Sequence, residues 1–116
     1  MSFPIEVRFR DMESSPALEQ FVRRWATKLG RVYERIARCD VMIERPHQSQ
    51  RQGQHVHVRV AIGVPGPDIV VSHDQALDGA HEDAYVVVRD AFRAARRQLD
   101  QLARHLHGAE QEAPPP

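Results

Sequence analysis

The sequence is short of the residues that most often carry catalysis, crosslinking or membrane anchoring. Cys39 is its single cysteine, so no internal disulfide can form, and a cytosolic location is the expectation. No apolar run approaches the roughly 20 residues needed to span a bilayer, and the N-terminus shows no basic-then-apolar secretion pattern. Glycine is sparse, at 6 residues, and none of it forms a phosphate-cradling loop. Aromatics are scarce at 6%: Tyr33 and Tyr85 are the only tyrosines, and Trp25 falls on an apolar helix stripe. A protein that reads single-stranded bases is expected to show stacking rings on its surface, and this chain offers few. Net charge is also missing, since 16 Lys plus Arg balance 16 Asp plus Glu. Taken alone, that balance argues against a nucleic-acid partner.

The distribution of charge argues the other way. Residues 14–38 hold Arg23, Arg24, Lys28, Arg31, Arg35 and Arg38 against Glu19 and Glu34. Residues 45–59 hold Arg45, Arg51 and Arg59 with no acid. Residues 68–83 hold Asp68, Asp74, Asp78, Glu82 and Asp83 with no base. Segregated charge creates a local field even at zero net charge. The bland alternative is a set of solvated helix faces.

A chain of 116 residues has room for one compact domain. Phe3, Ile5, Val7 and Phe9 alternate with charged residues, the period of a half-buried strand. Ser14, Ser15 and Pro16 mark a helix start, with Ser15 as cap and Pro16 in the first helical position. Leu18, Phe21, Val22, Trp25, Ala26 and Leu29 then recur at helical spacing. The period continues through Val32, Tyr33 and Ile36, which favours a helix running past Gly30. Cys39–Glu44 reads as a second strand with Val41 and Ile43 inward, and Pro46–Gln54 as a polar connection. Val56, Val58, Val60 and Ile62 alternate along a third strand. Val64-Pro65-Gly66-Pro67 is a turn, Ile69–Ser72 a short fourth strand, and 73–80 an acidic loop. A last helix starts near Glu82 or Asp83, carries Ala84, Val88, Ala91, Ala95, Leu99, Leu102 and Leu106 on one face, and is expected to stop near Gly108.

The order β-α-β-β-β-α predicts an α+β fold, a four-stranded sheet with both helices on one face. The expected core includes Phe9, Leu18, Phe21, Trp25, Val58, Val60, Leu99 and Leu102, while His55, His57 and Arg59 would look out from the other sheet face. Residues 1–108 form the domain, and 109–116, acidic and ending in Pro114, Pro115 and Pro116, form a disordered tail.

On a helix turning about 100° per residue, Arg24, Lys28, Arg31 and Arg35 make one ridge beside the buried stripe. Arg89, Arg93, Arg96, Arg97 and Arg104 make a second on the last helix, diluted by Asp90 and Asp100. Arginine heavily outnumbers lysine, and its planar fork suits bidentate phosphate contact. Two such helices side by side present a positive surface for an RNA backbone, recognised by shape and phosphates more than by sequence.

These residues resemble the ribosome hibernation promoting factor family, also known as ribosome-associated inhibitors or ribosomal subunit interface proteins. The strongest stretch is His81-Glu82-Asp83-Ala84-Tyr85 followed by Val86 to Leu102, with Arg97-Gln98-Leu99 inside it. Ser15-Pro16-Ala17-Leu18, Val41-Met42-Ile43-Glu44 and the opening strand add to it, so the likeness covers residues 3 to about 107. It implies a fold similar to double-stranded-RNA-binding domains. It implies docking on ribosomal RNA of the small subunit near the decoding region, in a non-enzymatic, cytoplasmic protein that idles ribosomes under stress or in stationary phase. Tyr85 joins the basic ridges as an implied contact residue. The likeness is to short-form members, monomeric when free, without the second domain with which long members pair ribosomes. The segment from Val71 to Ala80 looks longer than in those short members.

Two rival readings follow from the residues. A metal site could use His55 and His57, two apart on one strand face, with His73, His81, Glu82 or Asp83; local spacing fixes no third ligand, and neither a metal nor any other cofactor is expected. An adaptor could use the exposed sheet edge to bind protein. Nucleophilic catalysis is weaker: nothing around Cys39 lowers its pKa, and Ser72-His73-Asp74 are adjacent in sequence, which is not the geometry of a triad. No small-molecule substrate is expected.

Overall fold

The computed structural model describes residues 2–45, 54–77 and 83–111. The elements are β1 (Ile5–Arg10), α1 (Pro16–Val32), β2 (Arg38–Glu44), β3 (Gln54–Gly63), β4 (Ile69–Leu77) and α2 (Asp83–Gln111). The four strands form one sheet in the order β1-β2-β3-β4. β1 and β2 are parallel, and the pairs β2–β3 and β3–β4 are antiparallel. A parallel pair needs a crossover, which α1 supplies, whereas the antiparallel pairs are joined by direct connections. The expected α+β architecture is the one observed.

Strand alternation decides which side of the sheet the helices cover. Ile5, Cys39, Ile62 and Ile69 lie in one row across all four strands, and Val7, Val41, Val60 and Val71 in the next. Both rows face the helices, and every member from β2, β3 and β4 is buried. From above them α1 brings Leu18, Val22, Ala26 and Leu29, and α2 brings Ala84, Val87, Val88, Ala91, Phe92, Ala95 and Leu99, into one hydrophobic cluster. The uncovered side carries Glu6, Arg8, Arg10, Asp40, Met42, Glu44, His57 and Arg59. His57 is half-buried and Arg59 exposed there; the His55 side chain lies outside the described residues.

Local signals fix the start of α1. The Ser15 Oγ accepts a hydrogen bond from the Leu18 N–H at 3.2 Å, and Pro16 opens the first turn. The far end departs from the sequence reading. Tyr33 is extended, with φ −142 and ψ 112, and its N–H donates to the Leu29 carbonyl, so the helix ends at Val32. Tyr33 and Ile36 are nonetheless buried. They enter the core from the connecting segment, which is why the helical period continues in the sequence where the helix does not.

Three further expectations are corrected. β4 is not a four-residue strand followed by a loop from 73: it runs to Leu77, because it pairs with β3 as far as Gln54. α2 does not stop near Gly108 but continues to Gln111; of the expected tail, residues 112–116 lie outside the described residues, as do 46–53 of the polar connection. In the core, Phe9, Phe21, Trp25 and Leu102 are only half-buried, while Phe92, absent from the expected set, is fully enclosed.

The β3–β4 turn uses its glycines for specific purposes. Gly66 has φ 89, a conformation that side chains disfavour. At Gly63 a Cβ would meet the Arg38 Cγ at 3.0 Å, so the missing side chain lets Arg38 lie across the strand. From there Arg38 donates to Asp40 at 2.9 Å and to Asp68 at 2.5 Å, tying the start of β2 to the turn before β4. These carboxylates raise the Arg38 pKa, Asp68 most strongly.

Candidate nucleic-acid interface

The direction of the strands sets the direction of the helices. Both α1 and α2 follow strands of the same sense, so they run side by side and parallel. Ring contacts agree: Phe21 meets Tyr85 edge-on at 5.0 Å, and one turn further along α1 and two along α2, Trp25 stacks on Phe92 at 6.2 Å with 17° between the planes. Phe21 also meets Trp25 edge-on at 6.4 Å. These four rings form the floor of the seam between the helices.

The basic ridges flank this seam. Taking about 100° per residue, Arg24, Lys28 and Arg31 project from α1 on the side of Phe21 and Trp25, all exposed. On α2, Arg89 and Arg96 project beside Tyr85 and Phe92, and Arg93, Arg97 and Arg104 lie further toward the outside. Residues 24–31 and 89–104 together hold eight basic side chains against Asp90 and Asp100 alone. Arg35, expected on the α1 ridge, is exposed in the turn after the helix and is not part of the row, because α1 ends three residues earlier. Arg23 points to the other flank of α1, where it donates to the Ile5 carbonyl at 3.1 Å and pairs with Glu19 at 3.0 Å.

The cations differ in what holds them. Arg89 pairs with its neighbour Asp90 at 3.2 Å, and Arg96 with Asp100, one turn on, at 3.6 Å. The Lys28 ammonium lies 5.1 Å from the centre of the Trp25 ring. Among the described residues, Arg24, Arg31, Arg93, Arg97 and Arg104 have no carboxylate partner. Tyr85 is half-buried, its ring against Phe21. The acids of the segment 68–83 that can be placed lie off this surface: Asp68 is held by Arg38, and Asp74 sits on the uncovered sheet side, 3.8 Å from His57.

The sequence reading named Lys28 and Trp25 but missed their contact, and it missed Phe92. Phe92 could have been found from the row Val88, Phe92, Ala95, Leu99, which keeps helical spacing on the side that faces α1. The Lys28–Trp25 contact was legible in the spacing of three along one helix.

Among the described residues, those behind the rival chemistry do not come together. Among the described residues no three His, Cys, Asp or Glu side chains are grouped to hold a metal ion; His81 and Glu82 lie outside those residues. Ser72 and Asp74 share one sheet face while His73 points to the other, as alternation along β4 requires. Cys39 is buried, and burial pushes its thiol pKa up to about 12, so it is no nucleophile at neutral pH. Among the described residues no helix is long and apolar enough to cross a membrane.

Fold and surface together define a small α+β domain with a basic layer of two parallel helices on one side and a mixed-charge sheet on the other. The solved structures of similar fold include a ribosomal subunit interface protein from Coxiella burnetii, with TM-score 0.66 and 16% identity, covering 87% of this chain and 98% of that one. They also include the N-terminal domain of Protein Y from Thermus thermophilus, with TM-score 0.65 and 15% identity, covering 84% of this chain and 94% of that one. No curated protein matches the sequence. The chain belongs to the family described as Sigma 54 modulation protein / S30EA ribosomal protein, which it matches over residues 5–107.

Proposed function

We propose that the protein is a translation inhibitor that docks on the small ribosomal subunit through its helix layer. There it covers RNA that messenger and transfer RNA would otherwise use. The observation that carries this reading is the pairing of two basic rows along one seam in a chain of zero net charge. Membership of a family described as ribosomal, and a fold shared with a protein named for the ribosomal subunit interface, support the ribosome as the partner. Phosphate is the ligand that matches the residues: arginine forks dominate the surface, and the aromatic rings pack on one another and leave little face for bases. Arg24, Lys28, Arg31, Arg89, Arg93, Arg96, Arg97 and Arg104 make the contacts, with Tyr85 in the seam between them and Arg35 beyond the end of α1. The work of such a protein is occlusion, and it needs no catalytic group.

Co-sedimentation with purified subunits across a salt series tests this. Binding to the small subunit that falls steeply with salt is expected, because each phosphate contact releases condensed counterions. Binding confined to the large subunit, or indifferent to salt, would overturn it.

A further inference from the structure

The chain contains one lysine among sixteen basic residues, and one tryptophan. They touch: the Lys28 ammonium stands 5.1 Å from the centre of the Trp25 ring. The ring is itself fixed, stacked on Phe92 of the neighbouring helix at 6.2 Å and met edge-on by Phe21. Lys28 is thereby placed relative to α2, although it belongs to α1.

This way of holding a cation differs from the others on the surface. Arg89 and Arg96 are oriented by Asp90 and Asp100, and each carboxylate cancels the charge it positions. An aromatic face attracts an ammonium through its quadrupole and adds no net charge. The stem of Lys28 is restrained while the whole positive charge, and the N–H donors turned away from the ring, stay available. A lysine suits this because its charge is a compact point on a flexible four-carbon stem, the kind of side chain that loses most entropy on binding and gains most from being held beforehand.

We propose that Trp25 is a positioning residue of the RNA-facing surface. It holds the Lys28 ammonium over the interhelix seam, charge undiminished, to receive an RNA phosphate. This rests on the phosphate-binding reading above and assigns a role within it to a residue that meets no RNA.

A double-mutant cycle tests it, using binding to purified small subunits and to a short A-form RNA duplex. Lys28→Gln should weaken binding and lower the salt slope by about one. Trp25→Leu should weaken binding about two- to tenfold, the factor for a side chain no longer immobilised in advance, and only while Lys28 is present. In the Lys28→Gln background the same change should add nothing, and Trp25→Phe, which keeps a ring face, should restore most of the affinity. Equal losses in both backgrounds would make Trp25 merely structural and overturn the proposal.

A second measurement stands if Trp25→Leu fails to fold. Because Lys28 is the sole lysine, its ε-methylene proton signal is unambiguous, and in the native protein it should lie upfield of its position in the denatured chain through the ring current. A signal at the denatured position would also overturn the proposal. Binding that Lys28→Gln leaves untouched removes this proposal and spares the phosphate reading. A wild type that binds neither probe removes the phosphate reading itself.

Discussion

Reversing two charges on the outer face of α2 should separate RNA docking from folding. Arg93 and Arg97 are exposed, one helical turn apart, and among the described residues unpaired. Their replacement by glutamate removes no buried contact. It sets new like-charge neighbours against Asp90 and Asp100, which on an exposed helix costs about 0.2–0.5 kcal/mol per pair, so the melting temperature should move little. The effect on binding should be far larger. A charge-assisted hydrogen bond is worth about 1.5–3 kcal/mol, so losing two costs about 3–6 kcal/mol, a factor of roughly 10²–10⁴ in affinity. Each lost contact should also lower the slope of log affinity against log salt by about 0.7–0.9, so the double variant should show a slope shallower by about 1.4–1.8. For the wild type, about five to eight contacts predict a loss of two to four powers of ten between about 50 and 200 mM salt. The assay is sedimentation with small subunits at several salt concentrations. Arg8→Glu is the control: it makes the same charge change on the uncovered sheet side, where Arg8 only pairs with exposed Glu6 at 2.6 Å, a contact worth about 0–1 kcal/mol. A double variant that sediments as well as the Arg8 control, or a wild type indifferent to salt, would refute the reasoning.

Three other outcomes follow from the same structure. Phe92 is fully enclosed between the helices and the sheet, so Phe92→Ala should cost about 3–5 kcal/mol in a denaturant titration; a loss below about 1 kcal/mol would mean the seam is not packed as described. Cys39 should resist thiol reagents in the native protein and react only once guanidinium unfolds it. Its pKa is raised from 9.0 to about 12, so the neutral thiol favours the folded state fully below pH 9.0, and this contribution is lost as the pH rises from there to about 12. Tyr85→Phe keeps the ring against Phe21 and removes the hydroxyl; melting should be unchanged and subunit affinity reduced, and unchanged affinity would leave Tyr85 as packing alone.

The strands, the capped start of α1 and the two basic rows were legible because each rests on a local rule. Alternation needs only neighbours two apart, Ser15 reaches only to Leu18, and a helix ridge needs only a period. What failed depended on partners distant in the chain. Tyr33 and Ile36 kept the helical period but are held in the core from outside the helix. His73 through Leu77 looks like a loop by its polar residues, yet β3 lies alongside and pairs with all of it. Trp25 was placed among the core residues by its stripe, but its ring sits at the border of two helices, half-enclosed.

By itself, then, the sequence determined the order of elements, the apolar face of each and the cations that stand on the helices, because those properties repeat along the chain. Only the tertiary structure decided that the helices run parallel, that Phe21, Trp25, Tyr85 and Phe92 meet, and that the two basic rows flank one seam. The direction of each helix is inherited from the strand before it, and the pairing of four strands across the sheet is settled by contacts that no local period records.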